Sequence, residues 1–111
     1  MAEKDPLIFV VHILENIKDI NNFTAGVSKE EFVKNKEKLN AVVRSIEIIG
    51  EAAKNISSSF KESHKEISWR EIIGTRDIFI HRYFGIDTDI LWNIIKKDLP
   101  ILEKQLRGLE K

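Results

Sequence analysis

LNAVVRSIEIIGEAA, residues Leu39 to Ala53, puts Leu39, Val42, Val43, Ile46, Ile49, Gly50 and Ala53 on one face of a helix. Asn40, Arg44, Glu47 and Glu51 form a polar stripe beside that face, so the segment predicts an amphipathic helix with carboxylates along its edge. Ile48 and Ala52 fall outside the main face and predict a second surface with something to bury.

The same period extends in both directions. Upstream, Asp5-Pro6 is a helix start, because the carboxylate accepts orphan amide bonds and proline fits the first turn. Leu7, Val10, Val11, Leu14 and Ile17 then repeat at helical spacing, with an end expected before Gly26. Ser28-Lys-Glu-Glu31 is a capping box opening a short helix that ends near Asn35. Downstream, Ser57 to Ser59 predicts a turn, and Ser68-Trp-Arg-Glu71 is a second capping box. The helix it opens should end at Phe84-Gly85-Ile86, with Asp87 capping the next and Ile90, Leu91, Ile94 and Ile95 as its apolar face. Pro100 lies inside that last pattern and predicts a kink or restart. With no alternating run of strand length and no internal repeat, the fold class is all-α: an antiparallel bundle of about four main helices.

The chain's 111 residues suffice for one domain, residues 1–111, with one modest core. A 42% hydrophobic and 32% charged content is that of a globular protein. The absence of cysteine excludes disulfides and thiolate metal sites and fits a reducing cytoplasm. Leu7 to Val11, the longest apolar stretch near the start, is far shorter than the about 20 residues of a membrane span, so neither secretion nor membrane insertion is expected. Eighteen basic side chains balance eighteen acidic ones, so any polyanion must be held by a local patch.

One stretch stands out chemically. RDIFIHRY, Arg76 to Tyr83, embeds a cation, an imidazole and the chain's only tyrosine in an apolar helix. Trp69, Ile72, Ile73, Phe79, Ile80 and Tyr83 share an arc with Arg76 in its middle, while His81 lies about 140° round, roughly 10 Å away by Cβ. A guanidinium on a buried face needs a counter-charge. Glu47, Glu51 or Asp77 could supply it and hold two helices in register, or a bound phosphate could. His81 equally fits a solvent-facing helix end, and Tyr83 a packed ring with its hydroxyl at the rim. Arg70 and Arg82 extend a small positive strip or are simply solvated. His12 and His64 have no metal-ligand spacing around them, and no metal or cofactor is expected. Trp69 and Trp92 read as core anchors, and Gly50 as a point of close helix approach.

Arg76-Asp77-x-x-x-His81-x-Tyr83 resembles the signature of the HEPN superfamily, in its HepT-like branch. Ile48-Ile49-Gly50-Glu51-Ala52-Ala53, Trp69-Arg70-Glu71-Ile72-Ile73-Gly74, Tyr83-Phe84-Gly85-Ile86-Asp87 and Asp98-Leu99-Pro100 also read like that branch, so the resemblance covers nearly the whole chain. It implies a helical bundle that forms a homodimer, two copies of the motif facing each other across a cleft. It implies a metal-independent endoribonuclease, the toxin of a prokaryotic type VII-like toxin–antitoxin pair. The partner would be an MntA-like minimal nucleotidyltransferase antitoxin that silences the toxin by adenylylating Tyr83. On this resemblance Arg76 and His81 are catalytic and Tyr83 is the modified residue; Asp77, Glu51 and Glu47, the candidate counter-charges of Arg76, would be supporting groups. Arg70 and Arg82 would be RNA contacts. Two alternatives carry different chemistry: a non-catalytic module of the same fold that binds nucleotide or substrate for its partner enzyme, and a purely structural bundle.

Overall fold

The computed structural model describes residues 5–80 and 87–109, with side chains described for 5–75 and 87–109. His81, Arg82, Tyr83 and the expected helix end at Phe84–Ile86 lie outside the described residues, as do the side chains of Arg76 and Asp77.

Helix α1 runs Pro6–Thr24 and begins as the sequence dictates, the Asp5 carboxylate accepting from the Leu7 N–H at 2.9 Å. Val10, Ile13, Leu14, Ile17 and Ile20 are buried along one side. Its last residue, Thr24, is buried, and its hydroxyl donates to the Ile20 carbonyl at 2.8 Å. Gly26 then turns the chain at φ +69°, the only positive φ among the described residues.

Helix α2, Lys29–Lys34, carries the predicted capping box: Ser28 Oγ accepts from the Glu31 N–H at 3.1 Å, and the Glu31 carboxylate accepts from the Ser28 N–H at 3.4 Å. Asn35 joins α2 to α3 (Lys36–Asn55) without a loop. Its N–H bonds the Phe32 carbonyl, while its side chain accepts from the Lys38 N–H at 3.1 Å.

Helix α3 lies between α1 and α5 and packs against both. The predicted face is buried at Val42, Val43, Ile46, Ile49, Gly50 and Ala53, with Leu39 half-buried. Outside that face, the expected second surface at Ile48 and Ala52 is partly buried. Ala52 is only 7% exposed, and the half-buried Ile48 shares a groove with Phe9 and His12 of α1.

The serine run is more than a turn. Ser57 caps a short helix, α4 (Ser58–Ser63), by accepting from the Phe60 N–H at 3.4 Å. Serine suits helix starts and turns for the same reason, a hydroxyl that bonds nearby backbone, and here the helix wins because Phe60 gains a partner in Trp69, with ring centroids 6.4 Å apart. Trp69 opens α5 (Trp69–Ile80) as a buried anchor whose indole N–H donates to the His64 carbonyl at 3.1 Å.

Helix α6 (Thr88–Asn93), a π-helical turn (Ile94–Asp98) and α7 (Leu99–Arg107) form one rod, since the junction residues Asn93, Ile94, Asp98 and Leu99 all keep right-handed helical dihedrals. This is how the chain accommodates Pro100. Proline lacks an N–H and its ring would collide with the carbonyl four residues back in a regular α-helix. The π turn just upstream widens the ladder, and the Leu99 N–H bonds the Ile94 carbonyl five residues earlier. Leu91, Ile94 and Ile95 are buried as expected, whereas Ile90 remains 38% exposed.

The predicted bundle is therefore present as α1, α3, α5 and the α6–α7 rod, with no strand among the described residues and no described helix long and apolar enough to cross a membrane. Phe32 anchors α2 onto the rod through Trp92, and a Lys29–Asp89 ion pair lies beside it. The rod's start depends on Asp87, whose carboxylate accepts from the Asp89 and Ile90 N–H groups at 3.0 and 3.2 Å. Asp87→Ala should lower stability by about 1 kcal/mol, read as a shift in the urea midpoint with unchanged slope.

Candidate functional site

Helix α5 packs directly on α3, which carries the third segment's polar stripe. Arg76 and Asp77 belong to the last turns of the α5 backbone, the eighth and ninth of the 12 residues of Trp69–Ile80. Arg70 is exposed in its first turn, as expected of a side chain available to solvent or phosphate.

On α3, Glu47 is half-buried and its carboxylate lies 3.5 Å from the Arg44 guanidinium, an i,i+3 pair on its own helix. Arg44 is thus a counter-charge for Glu47 that the sequence reading did not consider, although the three-residue spacing carried the signal. Glu51 lies one turn further on, exposed, and its backbone carbonyl accepts from the Asn55 amide at 2.9 Å.

Glu47 and Glu51 line an open groove between α1 and α3, and the tertiary structure brings His12 into it. The His12 ring is exposed and stands edge-on to Phe9, with centroids 6.5 Å apart. No local sequence signal links His12 to these carboxylates, because only the packing of α1 on α3 closes the distance. His64 is placed elsewhere: its ring lies 4.5 Å from Phe60, with Nδ1 3.6 Å from Glu66. Trp92 packs at 5.4 Å on Phe32 with the Lys96 ammonium 4.8 Å above its ring.

The arrangement thus combines a carboxylate-edged α3 with a helix that carries Arg76 toward its C-terminal end. Comparison with known proteins decides what this combination belongs to. The family described as "Ribonuclease HepT-like" matches residues 13–109, a span that includes every residue from Arg76 to Tyr83.

The chain belongs to the HepT-like ribonuclease family.

Among relatives of this HepT-like protein, one from Methanocaldococcus jannaschii named as a candidate RNase (MJ1380) is 42% identical over 106 residues, covering 96% of this chain and 97% of the relative. A similarly named candidate RNase from Caldanaerobacter subterraneus subsp. tengcongensis (TTE0752) is 44% identical, covering 96% of this chain and 95% of the relative. A Thermococcus cleftensis protein named probable ribonuclease HepT is 44% identical over 103 residues, covering 93% and 94%. No solved structure matches the chain.

Proposed function

We propose that this HepT-like chain is a metal-independent endoribonuclease that works as a homodimer, with His81 transferring protons and Arg76 holding the scissile phosphate. The observation that carries this reading is the family match across residues 13–109, which spans the complete Arg76-Asp77-x-x-x-His81-x-Tyr83 motif.

The chemistry suits these residue types. RNA holds its nucleophile, the 2′-hydroxyl, tethered beside the phosphorus, so cleavage needs positioning and proton transfer. One His81 imidazole takes the 2′-hydroxyl proton as the 2′-oxygen attacks phosphorus, and the bond to the 5′-oxygen breaks. A protonated second imidazole gives its proton to that leaving oxygen, and the product end is a 2′,3′-cyclic phosphate. A single chain supplies one His81, so a two-fold dimer accounts for both transfers. Arg76 can bind two phosphate oxygens at once and stabilise the charge that builds on them. Glu47 and Glu51 on α3 and Asp77 beside Arg76 are the supporting carboxylates, with Arg70 and Arg82 contacting flanking phosphates.

Regulation follows the same site. The cognate MntA-like nucleotidyltransferase antitoxin would adenylylate Tyr83, placing bulk and negative charge two residues from His81 and repelling RNA phosphate.

Purified chain with excess chelator should cut single-stranded RNA and leave cyclic-phosphate ends, with a rate that falls as salt rises. Intact RNA under those conditions rejects the assignment. Co-expression with the cognate nucleotidyltransferase should add one adenylyl group per chain at Tyr83, measured by intact mass and fragment sequencing. Full inhibition with Tyr83 unmodified would refute the regulatory part.

A further inference from the structure

A cleft separates α5 from the α6–α7 rod on the side of the bundle away from α1, floored by Ile46 and Ile49 of α3. Its deeper part holds about 180 Å³, and a shallower part continues toward α6. One end is tied shut by the Gln105 side chain, which donates to the Glu66 carbonyl at 2.9 Å.

Two features of its walls bear on what it takes. Ile101 and Ile90, 55% and 38% exposed, line the deep and shallow parts respectively and are among five large exposed hydrophobic residues described. They stand eleven residues apart on the rod, roughly 16 Å, or three turns of a helix laid alongside. The charges among its described lining residues are of one sign. Glu71 on α5 and Asp98 at the end of the π turn each line both parts of the cleft, and no lysine or arginine is among its described lining residues.

We infer that this cleft docks a basic amphipathic helix of a partner protein. Such a helix fills the apolar floor with side chains at i, i+3, i+4 and i+7, and places arginine or lysine against Glu71 and Asp98. RNA phosphate is repelled by the same pair. The inference does not rest on the ribonuclease reading.

A displayed library of 16-residue helical peptides, selected on the full-length protein, tests it. Enriched peptides should carry an apolar stripe at helical spacing flanked by excess lysine and arginine. In solution their affinity should fall at least tenfold on Glu71→Lys/Asp98→Lys, a variant whose fold is checked by its melting curve. Should that variant not fold, Ile101→Lys serves in its place with the same tenfold expectation. Backbone amide shifts on titration should concentrate at Thr75, Ile101 and Gln105. Enrichment without basic excess, equal affinity for the variant, or shifts centred on another face would each overturn the inference. So would a change from dimer to monomer in Glu71→Lys/Asp98→Lys by light scattering, which would assign the cleft to a second copy.

Discussion

His81→Ala is expected to slow RNA cleavage by about 10²- to 10⁴-fold, the usual contribution of a positioned proton-transfer group. The proposed dimer raises the expectation toward the upper end, because one substitution in the gene removes both imidazoles, the acceptor and the donor together. The same logic predicts a bell-shaped dependence of rate on pH in the wild type, since one imidazole must be neutral while the other is protonated. A mixed dimer holding one wild-type and one His81→Ala chain separates the roles: it should lose activity nearly as fully as the double-mutant dimer if both transfers matter. Arg76→Lys should also be severely impaired, because an ammonium cannot reproduce a bidentate grip on phosphate. The decisive measurement is the single-turnover rate with chelator present, on preparations matched for melting behaviour. A His81→Ala protein that cleaves within threefold of wild type would remove the basis of the mechanism.

Phe32→Ala is the largest stability effect the structure predicts, about 3–5 kcal/mol. That is a large share of the 5–15 kcal/mol by which domains are typically stable. Phe32 is 0% exposed although it belongs to a helix of six residues, Lys29–Lys34, too short to stand alone in water. Its ring lies 5.4 Å from Trp92, so it holds α2 against the rod as well as filling the core. The Lys29–Asp89 ion pair between the same elements should matter far less, with Lys29→Ala costing about 0–1 kcal/mol, because both side chains are substantially solvated. Urea unfolding followed by tryptophan fluorescence compares the two directly. Equal losses in the two variants would mean that α2 is not held by its aromatic anchor.

Much of the bundle was legible because its signals are local. The face from Leu39 to Ala53 repeats with the helix period, and Asp5, Ser28 and Asp87 accept backbone N–H bonds within three residues of themselves. Where local chemistry allows two outcomes, reading the residues stopped short. Ser57 caps a helix or builds a turn with the same hydroxyl, and the packing of Phe60 on Trp69 selects the helix. Pro100 announces a disturbance without its form, and the π turn at Ile94–Asp98 answers it while keeping Ile94, Ile95 and Leu99 in the core. Ile90 repeats with the apolar face yet lines an open cleft, since periodicity says which side a residue faces and not whether anything covers it.

The candidate site divides along the same physical line. The ordered string Arg76-Asp77-x-x-x-His81-x-Tyr83 is readable in one dimension, because the residue types and their spacing carry the resemblance. The company of Glu47 and Glu51 is not. Arg44 reaches Glu47 through helix geometry, but His12 joins them only because α1 lies across α3, and the acidic cleft of Glu71 and Asp98 forms only because α5 and the rod stand apart. Short-range hydrogen bonding and hydrophobic period thus determined the helices, and the ordered motif carried the family resemblance, whereas contacts between residues remote in the chain, which no local rule encodes, decided which side chains share a surface.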